Sequence, residues 1–458
     1  MKFKQFYLGC LSHASYYIGS GEEAAIVDPQ RDVEQYLTEA ATNGQKIKYV
    51  IETHSHADFV SGHIELAAKT GAQIVYGQRA NTEFPTLKVK NGDSLTIGKV
   101  NLTFYETPGH TPEGICILAE NAENPAEPKK LFTGDTLFIG DVGRPDLIGS
   151  KGFSSQQMAE MLYDSLHDKI LNLPDETEIY PAHGAGSLCG KSLSKETWST
   201  LGVQRRENYA LQLMSKAEFV KIVAADQPEV PAYFPKSAAQ NLKGSVSLDD
   251  LSKPKEMSEE EFKNFKGTIL DVRTADEYGA GHLPDSLNIG LGGQFASWAG
   301  TLIEIGTPVV IVANSREQID EAVTRLARVG IETVRGFVLF SNWKGEKAKI
   351  EQISVERMNE ILSKANDLQF VDVRRSAEFS SGRAPHTMNL PLNVLANEIG
   401  KLDLNKPTFV ICQGGYRSSA GTSILEKNGF KKLYNVSGGT AAWKNAGLKI
   451  EESAAHAV

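Results

Sequence analysis

The chain reads as an α/β protein of three blocks. In the first, from Met1 to about Ala225, short β-rich runs (AAIVD at 24–28, KYVIETH at 48–54, AQIVYG at 72–77, VNLTFYETPGH at 100–110) alternate with helical or turn segments. The rest of the chain repeats itself. TILDVRTADEYGAGHLPDSLNI (268–289) matches QFVDVRRSAEFSSGRAPHTMNL (369–390), PVVIVANSREQ matches TFVICQGGYRS, and each copy closes on a glycine and a tryptophan, Gly336 with Trp343 and Gly438 with Trp443. Equivalent residues lie about 100 positions apart, far beyond a solenoid period, so these are two tandem copies of one small domain. Each copy has continuous apolar strands (TILDV, VVIV; QFVDV, TFVIC) followed by helical stretches, the pattern of a doubly wound parallel sheet.

At 458 residues, the length fits about three domains. The predicted boundaries are 1–240, 255–350 and 354–452. Between the first two, Pro228, Pro231, Pro235 and the charged run DDLSKPKEMSEEE read as a linker or an extended crossing segment. A composition of 41% apolar and 23% charged residues is that of a soluble globular protein with ample core. The net charge of −9 and the lack of a long basic run argue against a nucleic-acid partner. No apolar run reaches the roughly 18 residues of a membrane helix. MKFKQFYLGC alternates like a strand and lacks the apolar stretch of a signal peptide. Four scattered cysteines (Cys10, Cys116, Cys189, Cys412) do not make a disulfide framework, so the expected location is the reducing cytoplasm.

Chemistry in the first block gathers on loops that follow strands. THSHADF (53–59) follows KYVIE; TPGH ends at His110, TGD at Asp135 and PAHG contains His183. Imidazole and carboxylate on rigid Gly- and Pro-flanked turns are the materials of a transition-metal site. The compound order H-x-H-x-D, then GH, GD and H, predicts one here. His63 fits no position of this order and reads as a surface or structural residue. Cys116, in GICILAE, reads as strand core.

These residues, with AAIVDPQRD (24–32), THSHADFVSGH (53–63), TPGHTPEG (107–114), LFTGDTLFIGDVGRPD (131–146), IYPAHGAG (179–186) and AEFVKI (217–222), resemble the metallo-β-lactamase superfamily, and within it the persulfide dioxygenases related to glyoxalase II. The resemblance implies an αββα sandwich with the metal at one edge. It also implies Fe(II), one per chain, on His54, His110 and Asp135, with zinc as the alternative. Three protein ligands on one face leave three positions for water, a sulfur substrate and O2. Superfamily hydrolases usually continue the motif as H-x-H-x-D-H; here the last position is Phe59, which cannot ligate and favours a single metal. His56, Asp58 and His183 then either surround the ligands, orienting them and hydrogen-bonding bound water or oxygen, or are remnants of a lost second site. Arg144, Arg205 and Arg206 either bind the carboxylates of a thiol peptide or form ordinary salt bridges. Cys189 and Cys10 are either sulfur-carrying or oxidisable thiols, or structural ones.

In the third block, Cys412 directly follows the strand TFVI and opens the loop Gln413-Gly414-Gly415-Tyr416-Arg417-Ser418, which leads into a helix. Loop N–H groups and the helix N-terminus converge on such a sulfur, stabilising a thiolate or a persulfide, with Arg417 adding positive charge. With VDVR (371–374), AEF (377–379), NLP (389–391), CQGGYRSS (412–419) and VSGGTAAW (436–443), this block resembles the rhodanese sulfurtransferases. Asp372 and Arg374 read as a structural pair. The second block keeps the frame but has Ala313 in place of the cysteine, which implies a catalytically silent copy. Together the resemblances imply oxidation of a low-molecular-weight thiol persulfide by O2 to sulfite and thiol, coupled to thiosulfate formation or use at Cys412. A glyoxalase II-like thioester hydrolase fused to a sulfurtransferase is the alternative. The partners are small molecules, with no nucleic acid and no membrane, and related proteins suggest a homo-oligomer, dimer or tetramer.

Overall fold

The computed structural model describes residues 1–147, 152–225, 227, 229–365 and 367–452. The chain divides into two compact units: Met1–Leu251 with Leu326–Gly330, and Ser252–Arg325 with Ile331–Val458.

The first unit holds two six-stranded sheets. One runs in order β1 (Lys2–Leu8), β2 (His13–Ser20), β3 (Glu23–Val27), β4 (Lys46–Ile51), β5 (Gln73–Gly77) and β6 (Leu87–Val89). The other comprises β7 (Ser94–Ile97), β8 (Val100–Glu106), β9 (Ile115–Asn121), β10 (Lys130–Gly134), β11 (Glu178–Pro181) and β12 (Ser199–Thr200). The β3, β4 and β5 strands are parallel neighbours, as are β10 and β11, so their C-terminal ends emerge together at one edge. The inner faces meet in a dry core that includes Tyr16, Ile18, Val27 and Ile51 from one sheet and Leu102, Phe104, Ile117 and Phe132 from the other. Helices α1 (Glu34–Asn43) and α2 (His63–Thr70) cover the first sheet outside, burying Tyr36, Ala40 and Leu66 against Ile26 and Val50. On the other side, α3 (Ser155–Asp168) sets Leu162 and Leu166 against Leu118 and Leu131. A capping box starts α3: Ser154 Oγ accepts from Gln157 N–H, and the Gln157 side chain accepts from Ser154 N–H. The result is the αββα sandwich expected.

In the second unit, two five-stranded all-parallel sheets share one strand order. The strands of the first are 255–256, 334–339, 309–313, 268–271 and 287–288; those of the second are 351–353, 433–436, 408–411, 369–372 and 388–389. Identical topology in both modules is what the tandem repeat predicts. Asp271–Arg273 and Asp372–Arg374 occupy equivalent places, each a buried pair whose guanidinium also donates to a backbone carbonyl, Gly281 O or Gly382 O.

The segment read as a linker is more ordered than predicted. A helix spans Phe234–Lys243, with Pro235 in its first turn, where a missing N–H has no helical partner to lose. Another spans Glu259–Asn264, started by a Ser258–Glu261 capping box inside the acidic run. Among the described residues, no helix is long and apolar enough to cross a membrane.

Candidate metal centre and sulfur-transfer loop

The strand ends of the first unit deliver three ligands to one point. Asp28 follows β3 and accepts from both Thr53 N–H (2.7 Å) and the Thr53 hydroxyl (2.8 Å). That hydroxyl, its proton committed to Asp28, accepts from His54 Nδ1 at 3.0 Å. His54 therefore presents Nε2 inward, 3.7 Å from Asp135 Oδ2. The same logic fixes His110: its Nδ1 donates to the Arg144 carbonyl at 2.9 Å, leaving Nε2 3.4 Å from Asp135 Oδ2. Asp135 follows β10 directly after Gly134, whose φ is +49° and where a Cβ would stand 2.5 Å from Thr53 Oγ1. No other residue fits that turn without strain.

The ligand atoms of His54, His110 and Asp135 all lie within 4.8 Å of one another, and all three residues are buried. His54 Nε2 and both Asp135 oxygens have no hydrogen-bond partner. Burial drives both imidazoles toward the neutral, ligating form; it lowers the pKa of His54 far, and that of His110 despite the opposing charge of Asp135. Two neutral nitrogens and a carboxylate with orphaned atoms aimed at one point fit a divalent transition metal. Thr53→Val removes the hydroxyl that orients His54; metal affinity, measured by competition with a chelator, is expected to fall by about 10–100-fold.

The remaining motif residues ring this triad. His183 Nδ1 donates to Ser12 O (3.2 Å), and Nε2 lies 3.5 Å from Asp58 Oδ2 and 3.6 Å from Asp135 Oδ1. The Cys189 sulfur is within 4.8 Å of ligand atoms on Asp58 and His183. Burial, then the carboxylates of Asp135 and Asp58, push its thiol up to about 12. His56 sets its Nε2 3.1 Å from Asp28 Oδ1 and 3.6 Å from Glu52 Oε2, and its Nδ1 has no hydrogen-bond partner. The Phe59 ring packs on His56 at 4.5 Å and on His13 at 4.1 Å.

His13 is the residue that sequence spacing misses. It lies on β2, fully buried, with its ring 5.4 Å from those of both His56 and His183. Burial and those imidazoles lower its pKa to about 3, so it is neutral. A histidine opening the strand-like run HASYYIGS was the available signal. His63 is structural, Nδ1 3.4 Å from Glu52 and its ring against Tyr76 and Phe84. Cys116 is buried in β9, as expected.

Two of the three arginines form salt bridges, one of the two readings given above. Arg144 is buried, its fork engaged bidentately by Asp146 (both contacts 2.7 Å) and a further N–H given to Leu188 O. Its carbonyl holds His110 Nδ1 in the site. Arg205 holds Asp175 and the carbonyls of Leu171 and Leu173. Arg206 stands exposed on α4 (Leu201–Glu207). Cys10 is a half-buried free thiol.

In the second unit Cys412 leaves the strand Thr408–Ile411, and the helix Tyr416–Lys427 follows. Cys412 is buried, and its sulfur accepts from Gly415 N–H at 3.1 Å and Ser418 Oγ at 3.4 Å. Thr440 N–H holds the Cys412 carbonyl at 2.7 Å. Gly439 makes this approach possible: a Cβ there would stand 2.3 Å from that carbonyl. Arg417 does not touch the sulfur; its fork grips Glu378 with two 2.7 Å bonds, which braces the loop. The Ala313 module packs against the same helix. Tyr416 donates to Gly290 O (2.8 Å), Ser419 to Asn288 Oδ1 (2.5 Å) and Asn288 N–H to Ser423. A cleft lined by Gly414, Gly415 and Tyr416 on one side and Thr274, Asn288 and Gly290 on the other opens there.

Comparison with known proteins agrees with this architecture. The metallo-beta-lactamase superfamily matches residues 8–183, and the rhodanese-like domain matches 238–340 and again 354–446. The mitochondrial persulfide dioxygenase ETHE1 of Homo sapiens is 34% identical over 217 residues, covering 46% of this chain and 75% of its own length. A hydroxyacylglutathione hydrolase of Polaromonas is 35% identical over 164 residues, covering 35% of this chain and 57% of its own. The crystal structure of a metallo-beta-lactamase from Staphylococcus aureus is 33% identical, covers 73% of this chain and 98% of that one, and superposes with a TM-score of 0.68. Fold, motif residues and relatives agree: the chain is an enzyme of the persulfide dioxygenase family within the metallo-β-lactamase superfamily, joined to two rhodanese-like domains.

Proposed function

We propose that the first unit oxidises a low-molecular-weight thiol persulfide with O2 and that Cys412 transfers sulfane sulfur to or from the product. The overall step balances as RSSH + O2 + H2O → RSH + sulfite + two protons. The observation that carries this reading is the convergence of two imidazoles and one carboxylate, His54, His110 and Asp135, on one point. A ferrous ion held by that set, one per chain, would supply O2 chemistry with three coordination positions to spare. Thr53 and the Arg144 carbonyl hold the imidazole tautomers. Asp58 and His183 stand beside Asp135, placed to hold the protons released when water attacks the oxidised sulfur. Cys189, next to them, is placed to meet a sulfur substrate. At Cys412, Gly415 N–H and Ser418 stabilise the cysteine persulfide; sulfite attacks its outer sulfur, the S–S bond breaks, and thiosulfate leaves with the cysteine as thiolate.

Thioester hydrolysis is the competing activity, and Phe59 argues against it by removing a ligand for the second metal that usually holds the attacking hydroxide. The test loads the protein with Fe(II) or with Zn(II) and supplies glutathione persulfide. Expected is one O2 consumed per sulfite formed, with iron only. Absence of uptake from several thiol persulfides at full iron occupancy, together with hydrolysis of a glutathione thioester by the zinc form, would sink the reading.

A further inference from the structure

The loop between β4, which ends at Ile51, and α2, which begins at His63, carries His54, His56 and Asp58 on backbone that belongs to no strand or helix. All of its residues are buried, so its polar backbone groups need partners from elsewhere. One side chain supplies three of them. Asn241 Nδ2 donates to His56 O and to Phe59 O, both at 2.8 Å, and Asn241 Oδ1 accepts from Ser61 N–H at 2.8 Å. Turning the amide over would set its oxygen against two carbonyls and its nitrogen against an N–H, so only this orientation fits. The three bonds grip the chain on both sides of Asp58, whose carboxylate lies 3.5 Å from His183 Nε2, and fix the backbone of Phe59, whose ring packs on His56 and His13. Asn241 is fully buried on the helix Phe234–Lys243, well beyond residue 183, where the superfamily match ends. Other contacts dock that helix as well: Glu83 N–H donates to Leu242 O at 2.8 Å, and Leu242 packs against the cluster of Ile74, Tyr76 and Ala80.

We infer that Asn241 is a positioning residue of the metal centre: it sets the course of the H-x-H-x-D loop, and with it the placement of His54 against Asp135 and of Asp58 against His183. The inference rests on the reading of His54, His110 and Asp135 as metal ligands. Without the amide, two buried carbonyls and one buried N–H lose their partner, and the loop recovers them only by moving. The anchor comes from the segment whose composition reads as a linker, so that stretch completes the metal centre rather than merely leading away from it.

The test is the visible absorption spectrum of the full chain loaded with cobalt(II), whose d–d bands report ligand geometry without turnover. Asn241→Asp keeps the shape and the acceptor for Ser61 N–H but turns a carboxylate oxygen on the His56 and Phe59 carbonyls. Expected are shifted bands, with cobalt bound about 10-fold more weakly. Leu242→Ala loosens the same helix without removing a bond to the loop, and should lower thermal stability while leaving the bands as in the wild-type protein. Unchanged bands in Asn241→Asp overturn the inference. Equal shifts in both variants also overturn it, since docking of the helix would then be the cause. Should Asn241→Asp fail to fold, Asn241→Ala is judged by the same criteria. A wild-type spectrum retained by His110→Ala, by contrast, would overturn the metal-ligand reading itself.

Discussion

Cys412→Ser is expected to lower thiosulfate formation from persulfide and sulfite to the uncatalysed rate while O2 uptake continues. The serine hydroxyl is nearly the size of the thiol, so the contacts from Gly415 N–H and Ser418 survive and the fold changes little. What disappears is the nucleophile. A hydroxyl at neutral pH is not ionised and cannot carry a sulfane sulfur, whereas a thiolate cradled by loop donors can. The Ala313 module offers no substitute, since the four cysteines of the chain include none between 255 and 350. The measurement is simultaneous O2 electrode traces and chromatographic quantitation of sulfite and thiosulfate, with sulfite accumulating in the variant. Unchanged thiosulfate production would show that Cys412 is not the carrier. Loss of O2 uptake as well would mean that the two chemistries are not separable as proposed.

His110→Ala is expected to strip the metal and abolish O2 uptake, by at least about 10²-fold, since even removing a residue that only orients a ligand costs 10–100-fold. His110 supplies one of the three donors that converge with His54 and Asp135, so its loss leaves that set one nitrogen short. The substitution also leaves the Arg144 carbonyl without the His110 N–H, a cost of about 1–3 kcal/mol for a buried acceptor. Stability should therefore fall modestly while activity falls steeply, and thermal unfolding of the metal-free forms separates the two. Sulfur transfer at Cys412, in the other unit, should persist. Normal iron content with undiminished uptake would exclude His110 as a ligand.

Much of this was legible in the linear chain because it depends on local pattern. The tandem repeat, the parallel strands and the loop opened at Cys412 are encoded in which residues recur and which end a strand. The positions of His54, His110, Asp135 and His183 follow from the same rule, as each sits just after a strand whose apolar run is visible. The loss of a ligand at Phe59 needs no structure to see, because a phenyl ring cannot coordinate. Helices hidden in the proline-rich and acidic stretch at 228–264 were obscured by composition, although Pro235 and Ser258 are proper helix starters.

Which way each side chain turns depended on what lay across the fold. Within H-x-H-x-D the two histidines look equivalent, and only the pairing of β3 with β4 puts Asp28 and Glu52 beside the Nε2 of His56. Arg144 reads as either a carboxylate binder or a salt-bridge partner until Asp146 and Leu188 meet its fork. His13 enters the site from β2, and Cys189 joins Asp58 from a loop well over a hundred residues away in sequence. Sequence thus determined the residue types and the strand ends that carry them. Tertiary structure decided their partners, because the energy of a buried charge depends on the groups within a few ångströms of it, and those groups come from distant segments.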